Sequence, residues 1–242
     1  MKSLLSERQT RVEAERCLQC FDAPCTVACP ARIDVPRFIA MIKSGNVRGA
    51  AETVRSANAL ANVCGKICPE EEFCQSACTR AKQDMPIAIR ELHFYATQHE
   101  YTHGYSKPAP FPGNGRSVAV IGAGPAGLAC AFELAKLGYH VDLYDGKSPG
   151  GIPRHSIPAF RLSEEELLAD VAFLLKFVEF REVNVDRKRF AEIRESHHAL
   201  FIATGLSVDK PLPIPGAHLA GVVPVLSFLE SAKRRSAAAP PG

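Results

Sequence analysis

Eight of the nine cysteines lie in two tight groups near the start of the chain. The groups read Cys17-x2-Cys20-x4-Cys25-x3-Cys29-Pro30 and Cys64-x3-Cys68-Pro69-x5-Cys74-x3-Cys78. Thiolates at such spacings converge on a soft metal centre, and a cysteine followed by proline is typical of ferredoxin-type cluster binding. Two sets of four thiols therefore predict two [4Fe–4S] clusters, which makes electron transfer the leading functional hypothesis.

Zinc binding and disulfide formation are the alternatives for these thiols. The chain begins MKSLLSERQT, without an apolar run long enough for a signal peptide or a membrane span, so a cytoplasmic location with reduced thiols is expected. Structural zinc sites usually pair two CxxC or CxxH knuckles, and only Cys17–Cys20 has that spacing. The ninth cysteine, Cys130, lies in an apolar helical pattern and is predicted to be a small core residue.

Length and composition indicate an ordinary globular protein of one or two domains. The chain has 242 residues, of which 46% are hydrophobic and 23% are charged. A net charge of +3 is too small to favour nucleic acid or a membrane surface as a partner, so neither is expected. The sequence shows no Ser-His-Asp arrangement and no HExxH helix, and any chemistry is expected to come from bound cofactors.

A segment rich in proline and glycine divides the chain into two dissimilar parts. Residues 1–106 are predicted to form an all-α iron–sulfur domain, with helices near 35–44, 46–57 and 86–100. Residues 107–116 are the predicted linker, because their prolines cannot continue a helix. Residues 231–242 are predicted to be a disordered tail.

Residues 117–230 are predicted to form a partial Rossmann-like α/β domain. Strands are predicted at 117–121, 140–144, 178–183 and 199–203, and a helix lies between the first two. Ser163 and Glu166 form a capping-box pattern that predicts the start of another helix. The expected fold class is therefore α+β in two parts.

The first strand is followed by a dinucleotide-binding motif. The motif comprises Gly122, Gly124, Pro125, Ala126 and Gly127. Its glycines permit a tight turn, close approach of a pyrophosphate and close helix–strand packing, and the helix N-terminus stabilises the phosphates. Asp145 ends the second strand, 23 positions after Gly122, and is predicted to accept hydrogen bonds from a ribose.

The residues beyond this motif favour FAD over NAD. A second glycine pair, Gly150 and Gly151, is predicted to let the backbone pass close to a flavin, and Arg161 is predicted to pair with a phosphate. Thr204 and Gly205 end a later strand and complete the predicted site. A plain turn and a surface charge are the alternative interpretation of these residues.

Together these segments resemble the N-terminal region of dihydropyrimidine dehydrogenase and the small subunit of glutamate synthase, over roughly residues 10 to 230. The stretches that carry the resemblance are ERCLQCFDAPCTVACPARIDVPRFI, ANVCGKICPEEEFCQSAC, AVIGAGPAGLACAFELAKLGYHV and GGIPRHSIPAFRL. Cys64 resembles the dihydropyrimidine dehydrogenase branch, because the glutamate synthase branch generally lacks a cysteine there.

The resemblance implies that the two cysteine groups exchange ligands. It implies one cluster held by Cys17, Cys20, Cys25 and Cys78. It implies a second cluster held by Cys29, Cys68, Cys74 and a non-cysteine ligand from the following helix. That ligand is glutamine in dihydropyrimidine dehydrogenases, and His93 occupies the position here. Cys64 is the alternative fourth ligand.

The resemblance also implies a route for electrons, from NAD(P)H to FAD and through the clusters to a partner active site. Family members continue into an NAD(P)H-binding domain, whereas no second GxGxxG follows Gly205 in this chain. The chain is therefore expected to act with a catalytic or NAD(P)H-binding partner subunit. A non-catalytic electron-transfer module, a truncated fragment of such an enzyme and a zinc-stapled nucleotide-binding module are the alternatives.

Overall fold

The computed structural model describes residues 5–104, 111–206, 209–210 and 212–238. The chain forms two compact units that divide between residues 109 and 110, inside the predicted linker. Residues 111–116 have no regular secondary structure, and the preceding six linker-region residues lie outside the described ranges.

The first unit is helical, as predicted. Its helices are α1 (Glu7–Glu15), α2 (Pro24–Ala28), α3 (Val35–Lys43), α4 (Val47–Ala57), α5 (Ala61–Ile67) and α6 (Ile89–His103), with 3₁₀ turns at Glu70–Glu72 and Thr79–Lys82. Helix α3 is capped by Asp34 and α4 by Asn46, since each side chain accepts a hydrogen bond from a backbone N–H in the first turn. These caps explain why the predicted starts of both helices lie within one residue of the observed ones.

Helix α6 begins three residues later than the sequence pattern predicts. The backbone N–H of Ala88 donates to the Glu13 carboxylate at 2.9 Å, which ties the segment before the helix to α1. The helix then ends at Gly104, whose left-handed backbone (φ 58°) is a common helix terminator. Tertiary contacts therefore shift the helix start, whereas its end follows local sequence.

The core of the first unit lies between α3, α4 and α6. Phe38, Ile39, Val54 and Leu92 are almost completely buried there. Cysteines of both groups pack against this core; they are Cys17, Cys25, Cys29, Cys74 and Cys78. The side chains that hold the unit together therefore also hold the thiols in place.

The second unit is a parallel α/β sheet, as predicted. Its strands are β1 (Ser117–Ile121), β2 (His140–Asp145), β3 (Glu179–Glu182) and β4 (Ala199–Ile202), in the order β3-β2-β1-β4. Its helices are α7 (Pro125–Lys136), α8 (Gly151–His155), α9 (Glu164–Leu174), α10 (Arg187–Ser196) and α11 (Val225–Ala238). All strand pairs are parallel, and helices connect the strands, which is the Rossmann-like arrangement.

The strand and helix boundaries follow local chemistry. Four of the five residues of β1 are buried, as expected for a central strand of a parallel sheet. The predicted capping box is present, because Ser163 and Glu166 each accept a hydrogen bond from the other's backbone N–H at the start of α9. The short helix α8 was not predicted from the sequence.

The prediction of a disordered tail is wrong for residues 231–238, which are helical. The segment contains mostly good helix formers, and Lys233 Nζ donates to the carbonyl of Pro153 at 3.1 Å. An ion pair between Glu230 and Lys147 (3.1 Å) also ties α11 to this unit. Residues 239–242 lie outside the described ranges. Within those ranges, every helix is too short or too polar to cross a membrane.

Candidate cluster and dinucleotide sites

Four thiols from both cysteine groups surround one cavity in the first unit. Cys17, Cys20 and Cys25 line this cavity together with Cys78, although Cys78 belongs to the second group. Burial raises the pKa of Cys25 to about 11, and the nearby thiolates of Cys17 and Cys78 also raise it. Thiolates in this cavity would therefore need a compensating metal charge.

An ion-pair network joins the loop that carries Cys17 to the loop that carries Cys78. Arg16 Nη2 lies 3.0 Å from Asp84, and Arg80 Nη2 lies 2.8 Å from the other oxygen of the same carboxylate. Hydrogen bonds from Arg80 and Arg16 hold the pKa of Asp84 down, at about 2, so the carboxylate is ionised at neutral pH. The network thus holds the ends of the two cysteine groups together.

The other thiols of the two groups also lie near one another. Burial raises the pKa of Cys74 to about 12, and the charges of Glu70, Cys29 and Cys68 raise it as well. Burial likewise raises the pKa of Cys68 to about 11, and the charges of Cys64 and Cys29 raise it as well. Cys64 is therefore a close neighbour of this second set, one helical turn before Cys68.

His93 has the properties of a metal ligand. The side chain projects from α6 and the residue is only 6% exposed, yet its Nε2 has no hydrogen-bond partner. Burial lowers the pKa of His93 to about 4, although a hydrogen bond to the Ala61 carbonyl acts in the opposite direction. The imidazole is therefore neutral at physiological pH. Its ring lies against Gly65, where an added Cβ would be 3.2 Å from Cδ2 of His93. Gly65 itself lies between Cys64 and Cys68 on the chain.

Sequence analysis did not identify Glu70 as part of this region. The residue is 3% exposed, and its carboxylate accepts a hydrogen bond from the backbone N–H of Arg90 at 2.7 Å. Glu70 belongs to an acidic run of three residues after Pro69, which reads as an exposed turn. No sequence signal distinguishes the buried member of such a run from the exposed ones.

Two glycines of the dinucleotide motif are required by the fold itself. Gly122 has a φ of 108°, and a Cβ on it would clash with the carbonyl oxygen of Ala203. A Cβ on Gly127 would clash with the carbonyl oxygen of Gly122. Both positions therefore hold β1, the start of α7 and the end of β4 in close contact.

Gly124 differs, because it borders open space. An added Cβ would meet only the Cα of Gly151, at an ordinary contact distance of 3.8 Å. Pro125 is the first residue of α7, and the N–H groups of Ala126 and Gly127 lie in its first turn. Backbone N–H groups in that turn have no partner within the helix and can bind phosphate.

Asp145 lies beside the glycine loop at the carboxyl end of β2. Its carboxylate accepts hydrogen bonds from the backbone N–H groups of Ala123 (2.7 Å) and Lys147 (2.9 Å). Each carboxylate oxygen has further lone-pair capacity for a ribose hydroxyl. Asp145 therefore stabilises the loop whether or not it also contacts a ligand.

The second glycine pair packs directly on the first motif. Gly150 (φ 128°) donates its N–H to the carbonyl of Ala123 at 2.8 Å. A Cβ on Gly151 would lie 2.7 Å from the Cα of Gly124, so only glycine permits this approach. The presence of two glycines here is therefore explained by backbone contact between two loops and not by a plain turn.

The remaining predicted residues lie at the surface. Thr204 and Gly205 are exposed at the carboxyl end of β4, where the N–H of Ala203 donates to Ile121 at 2.7 Å. Arg161 is exposed in the turn before α9. The structure thus brings the glycine loops and Asp145 together, places Thr204 and Gly205 at the same sheet edge, and leaves Arg161 open to solvent.

Comparison with known proteins finds a family match for each unit. Residues 1–105 match the family described as dihydropyrimidine dehydrogenase domain II, 4Fe-4S cluster. Residues 116–241 match the family described as pyridine nucleotide-disulphide oxidoreductase.

Several curated relatives match most of the chain, including the following two. The NAD-dependent dihydropyrimidine dehydrogenase subunit PreT of Escherichia coli is 41% identical over 206 residues, which cover 84% of this chain and 50% of the relative. The glutamate synthase [NADPH] small chain of Azospirillum brasilense is 31% identical over 237 residues, covering 96% of this chain and 49% of the relative. The chain thus spans about half the length of these relatives. It belongs to the pyridine nucleotide-disulphide oxidoreductase family and carries an N-terminal 4Fe-4S domain of the dihydropyrimidine dehydrogenase type.

Proposed function

We propose that this chain is an FAD- and iron–sulfur-dependent electron-transfer subunit, which relays electrons between a flavin and the active site of a partner. The observation that carries the proposal is the convergence of Cys17, Cys20 and Cys25 with Cys78 around one cavity. A single chain that combines a 4Fe-4S domain with a dinucleotide-binding fold supports the same function. The cytoplasm is the proposed location.

Two [4Fe–4S] clusters fit the thiols of the first unit. The proposed ligands of the first cluster are Cys17, Cys20, Cys25 and Cys78; those of the second are Cys29, Cys68, Cys74 and His93. When bound, such clusters accept and donate single electrons. The orphaned Nε2 of His93 supports its role, because a buried polar atom without a partner is rare unless a ligand satisfies it. The buried Glu70 carboxylate lies near the second set and is paired with Arg90 at 3.5 Å, so its negative charge is partly compensated.

FAD fits the glycine loops of the second unit. The open space beside Gly124 and the N-terminus of α7 suit a pyrophosphate. Gly122 and Gly127 instead pack directly against the backbone. Asp145 is the proposed partner of the ribose, and Gly150, Gly151, Thr204 and Gly205 are proposed to border the cofactor. Bound FAD exchanges electrons in one- or two-electron steps. Arg161 is exposed, so we propose that it contacts a phosphate only at the outer edge of the site.

The proposed partner supplies the catalytic or NAD(P)H-binding function. Relatives named as a dihydropyrimidine dehydrogenase subunit and as a glutamate synthase small chain each have about twice the aligned length. The region they share with this chain contains the 4Fe-4S domain and the first glycine motif. We therefore propose that the hydride donor and the final acceptor bind elsewhere than in residues 1–242.

Cluster content provides the direct test of this function. We expect anaerobically purified chain to contain about eight iron and eight sulfide per chain, because two cubane clusters each hold four of both. The measurement is iron and acid-labile sulfide analysis with visible and EPR spectra. A preparation from iron-replete, anaerobic cells that holds only zinc would refute the iron–sulfur assignment and favour a zinc-stapled module.

His93→Ala is expected to damage only the second cluster. Loss of the ligand should remove up to about four of eight iron atoms or change the EPR signal and midpoint potential of one cluster. His93→Gln, which restores an oxygen or nitrogen donor, should retain the iron but shift the potential. His103→Ala, an exposed position of the same helix, is the matched control. Unchanged spectra for His93→Ala, combined with loss of one cluster in Cys64→Ala, would assign the fourth ligand to Cys64.

A further inference from the structure

A cluster of two imidazoles and two carboxylates lies at the amino end of the sheet, remote along the strands from the glycine loops. His140 and Asp142 lie on the same face of β2, because side chains two positions apart share a face. Asp142 pairs in register with Glu179 of β3. The ligand atoms of His140, Asp142 and Glu179 all lie within 4.8 Å of one another. His140 Nε2 lies 3.5 Å from Asp142 Oδ2 and 3.8 Å from Glu179 Oε1.

His197 adds a second imidazole from the C-terminal end of α10. Its Nε2 lies 2.9 Å from the same Oδ2 of Asp142, and both side chains are more than nine-tenths buried. Its Nδ1 lies 2.9 Å from the carbonyl oxygen of Ile193, so Nδ1 carries a proton that it donates. The contact with this carbonyl holds the ring so that Nε2 faces the Asp142 carboxylate.

Arg181 orients the two carboxylates from the opposite side. Its Nε lies 2.6 Å from Asp142 Oδ1, and its Nη2 lies 2.9 Å from Glu179 Oε2. The guanidinium therefore binds one oxygen of each carboxylate, Asp142 Oδ1 and Glu179 Oε2. The inner oxygens, Asp142 Oδ2 and Glu179 Oε1, face the imidazole of His140.

The carboxylate at the centre of the cluster is ionised. Burial raises the pKa of Asp142, but hydrogen bonds from His197 and Arg181 outweigh it, and the pKa lies below its ordinary value. Two carboxylates and one guanidinium leave a net charge of about −1 when the imidazoles are neutral. A divalent cation would change this total to about +1, and the exposed side chains of His140 and Glu179 would leave that charge in contact with water.

We propose that this cluster binds a divalent transition-metal ion, with Zn²⁺ as its simplest representative. The proposed ligand atoms are His140 Nε2, Asp142 Oδ2 and Glu179 Oε1, and His197 orients Asp142. One imidazole, two carboxylate oxygens and a water molecule would form a tetrahedral set of the kind that Zn²⁺ accepts, at about 2.0–2.2 Å per bond. Tetrahedral ligands at such bond lengths are about 3.3 Å apart, whereas the ligand atoms of His140, Asp142 and Glu179 lie within 4.8 Å of one another, so each pair closes by at most about 1.5 Å on binding.

Metal binding would join two neighbouring strands, because the proposed ligands lie on β2 and β3. The site lies at the amino ends of the strands, so we assign it a structural role that stabilises the sheet rather than a role at the dinucleotide.

The test uses the full chain, loaded first with iron and sulfide so that its cysteines are occupied, and titrated with Zn²⁺ by calorimetry. His140→Ala and Glu179→Gln are the variants, because both side chains are more than half exposed and their loss spares the fold. His218→Ala, an exposed histidine outside the cluster, is the matched control. Zinc per chain after gel filtration and the thermal midpoint of the second unit are the additional readouts.

We expect wild type and His218→Ala to bind one more zinc per chain than the double variant, and each single variant to bind at least about tenfold more weakly. Zinc should raise the thermal midpoint of wild type but not of the double variant. Equal zinc content and equal thermal midpoints in wild type and the double variant would overturn the proposal and leave an ion-pair network without metal. All variants share the same cysteines, so failure of cluster loading would not alter this comparison.

Discussion

Replacing Cys78 with alanine is expected to remove the same cluster as replacing Cys20, although Cys78 belongs to the other cysteine group. The reason is geometric, because Cys17, Cys20, Cys25 and Cys78 line one cavity. Iron should fall from about eight to about four per chain in either variant. The remaining EPR signal should be the same in both, and iron analysis with EPR of the dithionite-reduced protein measures the outcome.

The controls for Cys78→Ala separate ligand loss from unfolding. Cys130→Ala should retain full iron, because Cys130 belongs to α7 of the second unit, whereas the other eight cysteines belong to the first unit. Cys68→Ala should instead remove the complementary cluster and leave the other EPR signal. If Cys78→Ala and Cys68→Ala lost the same cluster, each cysteine group would hold a cluster of its own, and the proposed exchange of ligands would be wrong.

Gly124→Val is expected to abolish flavin binding while the protein remains folded. An added Cβ would meet only Gly151, at 3.8 Å, so the backbone has room for it, and we expect the valine methyl groups to fill the open space beside α7. We expect bound flavin to fall below about a tenth of the wild-type amount, because a side chain there excludes the pyrophosphate. Flavin absorbance after gel filtration, with iron content unchanged, measures the effect.

Two further glycine variants serve as controls for Gly124→Val. Gly113→Ala should change nothing, because an added Cβ meets no atom within 4 Å. Gly122→Ala should destabilise the second unit by about 2 kcal/mol or more, because it combines a positive φ with a clash against Ala203. Full flavin retention in Gly124→Val would show that the motif is only a turn.

Local sequence determined most of the architecture of this protein. The spacing of glycines and hydrophobic residues predicted the strands and the parallel fold, since a βαβ unit has few alternatives. The capping-box pattern of Ser163 and Glu166 predicted a helix start, because a cap acts on residues three positions away. The cysteine spacings likewise predicted soft-metal binding without any knowledge of the fold.

Only the tertiary structure decided which distant groups meet. Cys78 joins Cys17 because helix packing and the Asp84 ion pairs bring two loops together, and spacing along the chain does not encode that contact. Burial decided that His93 is neutral with an unsatisfied Nε2, and that Glu70 is the buried member of its acidic run. The cluster around Asp142 depends on strand register and on where α10 ends, so Asp142, Glu179 and His197 meet although tens of residues separate them along the chain. Sequence patterns report short-range periodicity, whereas charge, hydration and metal chemistry depend on distances that only the folded chain defines.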